Sequence, residues 1–163
     1  MMQTASIADN ISDILVKILY FTQLRRRVLH ENLHKAKEPG FAPQDMPVRE
    51  FAEALNVAVA EHLQNDRLLF RDTPSIRFGP NNTMDIRPVA DPQAHALLQT
   101  DPDQYTELQI RKLLENCLNR KVAEELLRQK CGMYPHLIAW GTGLPLTDEP
   151  SSQNSPTDSG TAR

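Results

Sequence analysis

Residues 28–41, VLHENLHKAKEPGF, contain the end of a long amphipathic helix and the turn that stops it. Residues 1–38 contain neither glycine nor proline, and Pro39-Gly40 then closes the stretch. Proline cannot continue a helix, and glycine adopts the backbone conformations that a turn requires. The sequence therefore predicts an N-terminal helix over about residues 9–37.

The apolar residues of this segment indicate that the helix packs along another helix. They recur in alternating steps of four and three residues, and Arg25 and Asn32 occupy two positions of the same series. The other members of the series are Ile7, Ile11, Ile14, Ile18, Phe21 and Val28, and Leu15, Leu29 and Leu33 widen the stripe. A repeat near 3.5 residues is typical of a coiled-coil seam.

Two further helices are predicted downstream, and we expect the long stripes of the N-terminal and the C-terminal helix to pack in the core. A short helix over about residues 48–66 carries Phe51, Leu55, Val59 and Leu63 at four-residue intervals. A long helix over about residues 104–139 begins in a stretch without glycine or proline, residues 103–131. Its apolar residues are Leu108, Ile110, Leu113, Leu114, Cys117, Leu118, Val122, Leu126, Leu127 and Cys131.

The predicted fold class is mainly α, with the long N- and C-terminal helices pairing as an antiparallel coiled coil. The middle, residues 67–103, contains five prolines from Pro74 to Pro102, so we expect an irregular region without a strand pair. Residues 1–140 are predicted to form one domain. Residues 141–163 are expected to be a disordered tail, because Thr147–Arg163 has a single apolar residue, Ala162.

The composition is typical of a helical chain and argues against a general binder of polyanions. Hydrophobic residues make up 40% of the 163 residues, aromatic residues 6%, and the formal net charge is −3. No nucleic-acid partner is therefore expected. The local exception is Arg25-Arg26-Arg27, which we interpret as a solvated or subunit-contacting stripe because no aromatic residues are interleaved with it.

Cysteine usage and the N-terminus add two further expectations. Cys117 and Cys131 lie fourteen residues apart on one predicted helix, hence about 21 Å along its axis, whereas a disulfide needs Cα atoms within about 7 Å. Each is therefore a small core residue or a free thiol.

No apolar run has the length of a membrane span. The N-terminus lacks the features of an ordinary cleaved signal peptide, so export would not use one.

His30, Glu31 and His34 match H-E-x-x-H, the pattern of a zinc metalloprotease helix. On a helix both histidines would share a face, and Glu31 would be the general base. Yet no third histidine follows at the expected spacing, and Lys37 stands where the longer motif has glycine. Basic residues also flank the histidines, which disfavours a divalent cation. We interpret the match as chance and expect no metal and no cofactor.

A second pattern begins at Asn32 within the same stretch. Asn32, Leu33, Ala36, Pro39, Gly40 and Phe41 are followed by Asp45 and then by Phe51, Ala52, Ala54 and Leu55. In the C-terminal half, Glu115, Asn116, Leu118, Leu126, Leu127, Lys130 and Ile138 form a second set. In this order, around a variable middle, the two sets resemble the terminal motifs of flagellar axial proteins, in particular the proximal rod protein (FlgB) family of the basal body.

The resemblance covers about residues 10–55 and 104–139. Lys35 and Glu38 stand where the family pattern has asparagine and threonine, and Pro135 interrupts a helix that the family keeps continuous. It implies a structural subunit without catalytic residues, located in the rod of the flagellar basal body and exported by the type III apparatus without a cleaved signal. The implied partners are further copies of the chain, other rod proteins, the MS ring and the rod components next to the export gate.

A different class of protein fits the same helical pattern. A small coiled-coil adaptor or export-associated interaction protein, also without catalytic activity, would present a similar apolar seam. Such an adaptor is expected to be a stable monomer or dimer in isolation, whereas a rod subunit assembles. An enzymatic interpretation depends on HENLH alone.

Overall fold

The computed structural model describes residues 3–130, with side chains from residue 10 onward. The predicted mainly helical class is confirmed, with the addition of small antiparallel sheets. The helices are α1 (Gln3–Lys35), α2 (Val48–Asn65), α3 (Pro92–Thr100) and α4 (Pro102–Lys130). The strands are β1 (Gln44–Asp45), β2 (Ile76–Phe78), β3 (Met84–Ile86) and β4 (Val89–Ala90). The tail at 141–163, Ile138 and the helix predicted beyond Lys130 lie outside the described residues.

Helices α1 and α4 pack along each other in opposite directions. Near the start of α1, Leu15 and Leu19 form a buried cluster with Ala123 and Leu127 of α4. Near the end of α1, the backbone oxygen of Asn32 accepts a hydrogen bond from the hydroxyl of Tyr105, at the start of α4. Helix α1 ends before Pro39-Gly40 as predicted, and Gly40 has φ +75°.

The expectation of no strand pair in the middle of the chain is wrong. Strands β2 and β3 form a hairpin in which Ile76 lies opposite Ile86. Strands β1 and β4 pair antiparallel, with Gln44 opposite Ala90. Each strand is two or three residues long, so none is long enough to show the alternation of apolar and polar residues that identifies a strand.

Helix α3 is a second correction to the predicted irregular middle. Asp91 is its N-cap, since its side chain accepts a hydrogen bond from the backbone nitrogen of Ala94 at 3.0 Å, and Pro92 occupies the first turn. The same arrangement starts α4, where the Asp101 side chain accepts from Gln104 N at 3.0 Å. An Asp-Pro pair starts a helix well, because the carboxylate accepts from a free N–H and proline needs no partner at that position.

The hairpin and α2 complete the core against α1. Phe21 of α1 stacks on Phe51 of α2, with ring centroids 4.1 Å apart and ring planes 1° from parallel. The rest of this cluster consists of Met46, Ile76, Met84 and Ile86. Lys17 of α1 is also buried: it donates to Asn82 at the hairpin tip and lies 4.9 Å from the ring centroid of Phe70. Burial lowers the pKa of Lys17, and nearby Asp13 partly offsets this.

The expectation that the two long terminal stripes pack in the core is met on α1 but only in part on α4, and the shorter stripe of α2 is also partly exposed. On α2, Phe51 is buried, but Val59 is 41% and Leu63 79% exposed. On α4, Leu108 and Leu127 are buried, whereas the stripe members that are exposed are Ile110, Leu114, Cys117, Leu118, Val122 and Leu126. A four-residue spacing advances about 40° beyond one full turn at each step, so such a stripe winds off the face that contacts the core.

Candidate assembly interface

A buried cluster of charged side chains joins four elements of the fold. Asp45 of β1 accepts two hydrogen bonds from Arg25 of α1, at 2.9 Å (Nε–Oδ1) and 3.1 Å (Nη2–Oδ2). Lys112 of α4 donates to Asp45 Oδ2 at 2.9 Å and to Asp91 Oδ2 at 2.5 Å. Because Asp91 also caps α3, this one cluster fixes α1, β1, α3 and α4 relative to one another.

The pKa values of the cluster follow from burial and from these contacts. Burial alone would raise the pKa of Asp45, but the hydrogen bonds and charges of Arg25 and Lys112 outweigh it, so that pKa lies below its usual value. Burial would lower the pKa of Lys112, yet the two aspartates outweigh it and raise that pKa. Asp45 and Lys112 are therefore both held in their ionised forms. Removing one partner would leave an uncompensated buried charge.

Asn32 forms a second, uncharged cluster. Its Nδ2 donates to the backbone oxygen of Gln44 at 2.7 Å and to Gln109 Oε1 at 3.0 Å. Its Oδ1 accepts from Gln44 N at 3.2 Å, and its backbone oxygen accepts from the hydroxyl of Tyr105 at 2.8 Å. Asn32 is 2% exposed, and its bonds with Gln109 and Tyr105 are buried, whereas those with the exposed Gln44 are part-buried. One amide thus connects α1 to β1 and to α4, while the Nε2 of Gln109 is buried without a hydrogen-bond partner among the described residues.

Two further motif residues of α4 contact α1. Asn116 Nδ2 donates to the backbone oxygen of Thr22 at 2.8 Å, and both residues are buried. Glu115, which is more exposed, accepts from Arg25 Nη1 at 3.4 Å. The structure therefore brings Asn32, Asp45, Glu115 and Asn116, drawn from both halves of the sequence motif, to the α1–α4 contact.

The remaining motif residues lie in different surroundings. Pro39 and Gly40 form an exposed turn, and Phe41 beyond them is half-buried. Phe51 and Leu127 are buried, and Leu55 is half-buried against the Phe21–Phe51 cluster. Leu118, Leu126 and Lys130 are exposed. These placements separate residues that hold the fold together from residues whose side chains are exposed to solvent.

In the described part of the chain, α4 borders the two grooves described next. The first, of about 330 Å³, lies between α1, α2 and α4, and its lining includes Val48, Leu55, Val122 and Leu126. The second, of about 730 Å³, lies between α1 and α4. It is lined by Arg26, His30, Ile110, Leu113, Leu114, Asn116, Cys117, Arg120, Lys121 and Glu124. Leu118 is 65% exposed and lines neither of these two grooves.

His30, Glu31 and His34 lie on the exposed side of α1. His30 and His34 are exposed, and Glu31 Oε1 accepts from Lys35 Nζ at 2.5 Å. Glu50, one of the glutamates closest to the motif in sequence, accepts hydrogen bonds from Thr73 Oγ1 at 2.6 Å and from Ser75 Oγ at 2.9 Å. Within residues 3–130 no group of three or more His, Cys, Asp and Glu side chains is placed to hold a metal ion.

Sequence reasoning missed Lys112, Asp91, Gln109 and Tyr105, which complete the two polar clusters. Gln109, Lys112 and Asn116 follow the same spacing of three and four residues as the seam of α1. This spacing is the signal that could have paired the polar residues of α4 with Arg25 and Asn32 of α1. A polar residue at a seam position needs a partner across the seam.

Comparisons with protein-family models, with curated proteins and with solved structures find no match. In the part of the chain that the structure describes, no helix combines the length and the apolar character that crossing a membrane requires.

Proposed function

We propose that the chain is a structural subunit of the flagellar basal-body rod and that it assembles through its terminal helices. The observation that carries the proposal is the dual use of α4. One side of this helix is fixed to α1 by Asn32, Asp45 and Asn116, all named by the resemblance. The other side presents aliphatic side chains to solvent. A subunit that completes its packing in a polymer needs both surfaces.

In this proposal α1 and α4 form the antiparallel coiled coil of the subunit. Leu15, Leu19 and Leu127 supply the apolar part of the seam, and Arg25 and Asn32 supply polar positions that set its register. Polar residues at seam positions are well attested as determinants of register. The partners are further copies of the chain and other rod components, reached by export without a cleaved signal, and no step requires catalysis or a cofactor.

The exposed stripe of α4 is the surface that neighbouring subunits would cover. It comprises Ile110, Leu114, Leu118, Val122 and Leu126, each between 46% and 65% exposed. Covering a large aliphatic side chain contributes about 1.5–3 kcal/mol. Because the stripe winds around α4, it reaches both grooves, so one subunit can contact neighbours on two sides.

The adaptor alternative is favoured by a specific observation. The α1–α4 contact is complete within one chain, since Leu19 and Leu127 are both 0% exposed without any partner molecule. A chain that needs no partner to bury its seam is suited to act as a monomer. Assembly distinguishes the two proposals.

The test uses Leu118→Glu in the bacterium that carries the gene. Leu118 has no role in the core, so the variant should fold, which circular dichroism of the purified chain checks. Introduced into a motility-deficient deletion strain, it should be made and exported yet leave the cells non-motile, and purified basal bodies should lack the chain. Gln104→Glu, at an exposed position near the start of α4 and outside both grooves, is the charge-matched control and should restore motility. Full motility with Leu118→Glu, or no loss of motility on deleting the gene, would refute the rod proposal.

A further inference from the structure

The larger groove between α1 and α4 combines an apolar floor with a basic rim. Ile110, Leu113, Leu114 and Cys117 line it from α4. They follow the i, i+3, i+4, i+7 spacing by which a helix presents one side. Ile110 is 48% and Leu114 62% exposed, so much of this apolar surface is in contact with water.

The rim carries an excess of positive charge. Arg26 and His30 line the groove from α1, and Arg120 and Lys121 line it from α4. The carboxylate among the lining residues, Glu124, is paired with Arg120 at 2.7 Å. Arg26 and Lys121 are exposed and have no ion-pair partner among the described residues. Since the whole chain has a formal charge of −3, this is a local reversal of sign.

We propose that this groove binds an amphipathic helix of another protein, apolar on one side and flanked there by aspartate or glutamate. The apolar side would cover Ile110, Leu113 and Leu114, and the acidic flanks would pair with Arg26 and Lys121. The lining of α4 from Ile110 to Glu124 spans fifteen residues, about 21 Å, which matches a helix of four turns. Helix-in-groove recognition uses anchors at the same i, i+3/i+4, i+7 spacing.

Charge complementarity selects this occupant over a second copy of the chain or an anionic bilayer. A second copy that met the groove with its own groove would set Arg26 and Lys121 against themselves, which like-charge repulsion disfavours. A flat bilayer that reached the basic rim would leave the floor between α1 and α4 uncovered. The inference deepens the proposed function, because it names the chemistry of one partner of the assembling subunit.

Binding is measured on the isolated full-length chain, so its outcome is separate from the assembly test with Leu118, which lies outside the groove. The probe is a fluorescein-labelled sixteen-residue peptide helix with leucine on one side and glutamate on both flanks. Its charge-reversed twin carries lysine in place of glutamate. Fluorescence anisotropy should show saturable binding of the acidic peptide and at least about tenfold weaker binding of the basic one, a difference of about 1.4 kcal/mol.

The variants locate the site. Arg26→Glu combined with Lys121→Glu should weaken binding of the acidic peptide by at least about tenfold. Arg27→Glu, which reverses one charge at the next exposed position of α1 and outside the groove lining, should change it less than about threefold. Leu114→Asp should abolish binding, and Leu118→Asp should not. In a Cys131→Ser background, the bound peptide should slow alkylation of Cys117, which is exposed and lines the groove.

Several results would overturn the inference. These are equal binding of the two peptides, equal effects of Arg27→Glu and of the double variant, or no protection of Cys117. Binding to vesicles with anionic lipid but to neither peptide would assign the groove to a membrane surface. A concentration-dependent dimer that Leu114→Asp dissociates would assign it to a second copy. Tighter peptide binding after removal of residues 132–163 would assign it to the chain's own C-terminal segment.

Discussion

Arg25 and Asp45, twenty residues apart in sequence, form a two-point hydrogen-bonded ion pair in which the arginine side chain is 5% and the aspartate side chain 12% exposed. The guanidinium fork matches the two carboxylate oxygens, which a lysine ammonium cannot do. The pair also lies at a position of the α1 seam where the repeat would otherwise place an apolar residue. The end of β1 is thus fixed to the second half of α1.

Replacing this arginine by lysine should destabilise the fold even though the charge is kept. Arg25→Lys should lower the free energy of unfolding by about 1–3 kcal/mol, because one carboxylate oxygen of the buried ion pair loses one of its two hydrogen-bond donors. Urea denaturation followed by circular dichroism measures the loss. Arg26→Lys, the same change at an exposed neighbour, should stay within about 0.5 kcal/mol of the unmodified chain. Equal effects at the two positions would show that the ion pair does not support the fold.

Acid should weaken the fold through Asp45. Its pKa is lowered in the folded chain, mainly because Arg25 and Lys112 outweigh the effect of burial. The pKa of an aspartate in the unfolded chain is about 3.9. Between the folded and the unfolded pKa of Asp45, the unfolded chain therefore binds more protons than the folded chain, and stability rises with pH. The contribution is complete above the unfolded pKa and is lost as the pH falls through the folded pKa.

Urea midpoints measured between pH 6 and pH 2.5 test this. The urea midpoint of the unmodified chain should fall steeply as the pH is lowered. The midpoint of Asp45→Asn should be lower at pH 6 but should fall less between pH 6 and pH 2.5. Asp85→Asn, exposed on β3, controls for the removal of one negative charge. Parallel curves for the unmodified chain and Asp45→Asn would contradict the prediction.

Among the uncharged polar residues of the motif, Asn32 should be the one whose substitution lowers the free energy of unfolding most. Asn32→Ala leaves Gln44 N, Gln44 O and Gln109 Oε1 without their partner. Unsatisfied buried groups cost about 1–3 kcal/mol each, so a loss of about 2–4 kcal/mol is expected after partial relaxation. Asn119→Ala, at an exposed position of α4, should be neutral. The two variants are compared by urea denaturation, and equal stability would refute a structural role for the Asn32 amide.

Local signals were enough to predict the long helices and their general placement. The absence of glycine and proline, followed by Pro39-Gly40, places the end of α1 within two residues of where it lies, at Lys35. The 3.5-residue repeat identifies the face of α1 that includes Arg25 and Asn32. What the repeat does not contain is the identity of their partners, because Lys112 and Gln109 reach them only after the chain has folded.

The wrong predictions concern α3, the short strands and the exposed side of α4. In each case the local sequence pattern does not determine which part of the chain packs against the element. Proline density in the middle of the chain outweighed the Asp91-Pro92 start of α3, which is a good helix signal. Strands as short as Val89–Ala90 exist because a partner strand from elsewhere in the chain pairs with them. The apolar residues of α4 that recur every four positions were predicted to lie in the core. Because each step of four residues turns further around the helix than one full turn, Leu118 and Val122 are exposed to water.

Zinc should not bind at HENLH with the affinity of a protein site. Glu31 is paired with Lys35, and His30 and His34 are exposed, so a bound ion would gain two imidazole ligands without orienting partners. Protein purified without chelator should contain far less than one equivalent of zinc by elemental analysis. His34→Ala should not change that content. A stoichiometric metal that this substitution removes would establish a site.

Neighbouring leucines of α4 should separate folding from assembly. Leu127 is 0% exposed and packs with Leu15, Leu19 and Ala123, whereas Leu126 is 46% exposed. Leu127→Glu would place a carboxylate in an apolar cluster at a cost of several kcal/mol. The variant should unfold in the isolated chain or melt far lower, and cells that depend on it should lack flagella. Leu126→Glu should keep the fold, and any loss of motility would then arise at the subunit surface.

Removal of residues 147–163 completes this comparison. The segment has one apolar residue, so it offers little surface to bury, and its loss should leave both folding and motility intact. Thermal denaturation and complementation of a deletion strain, with an immunoblot for each variant, give the readouts. Full motility with Leu127→Glu would mean that the α1–α4 cluster is dispensable, and loss of motility on removing 147–163 would place a working surface in the tail. A folded Leu127→Glu chain that fails only in assembly would move Leu127 from the core of the subunit to its contact with a neighbour.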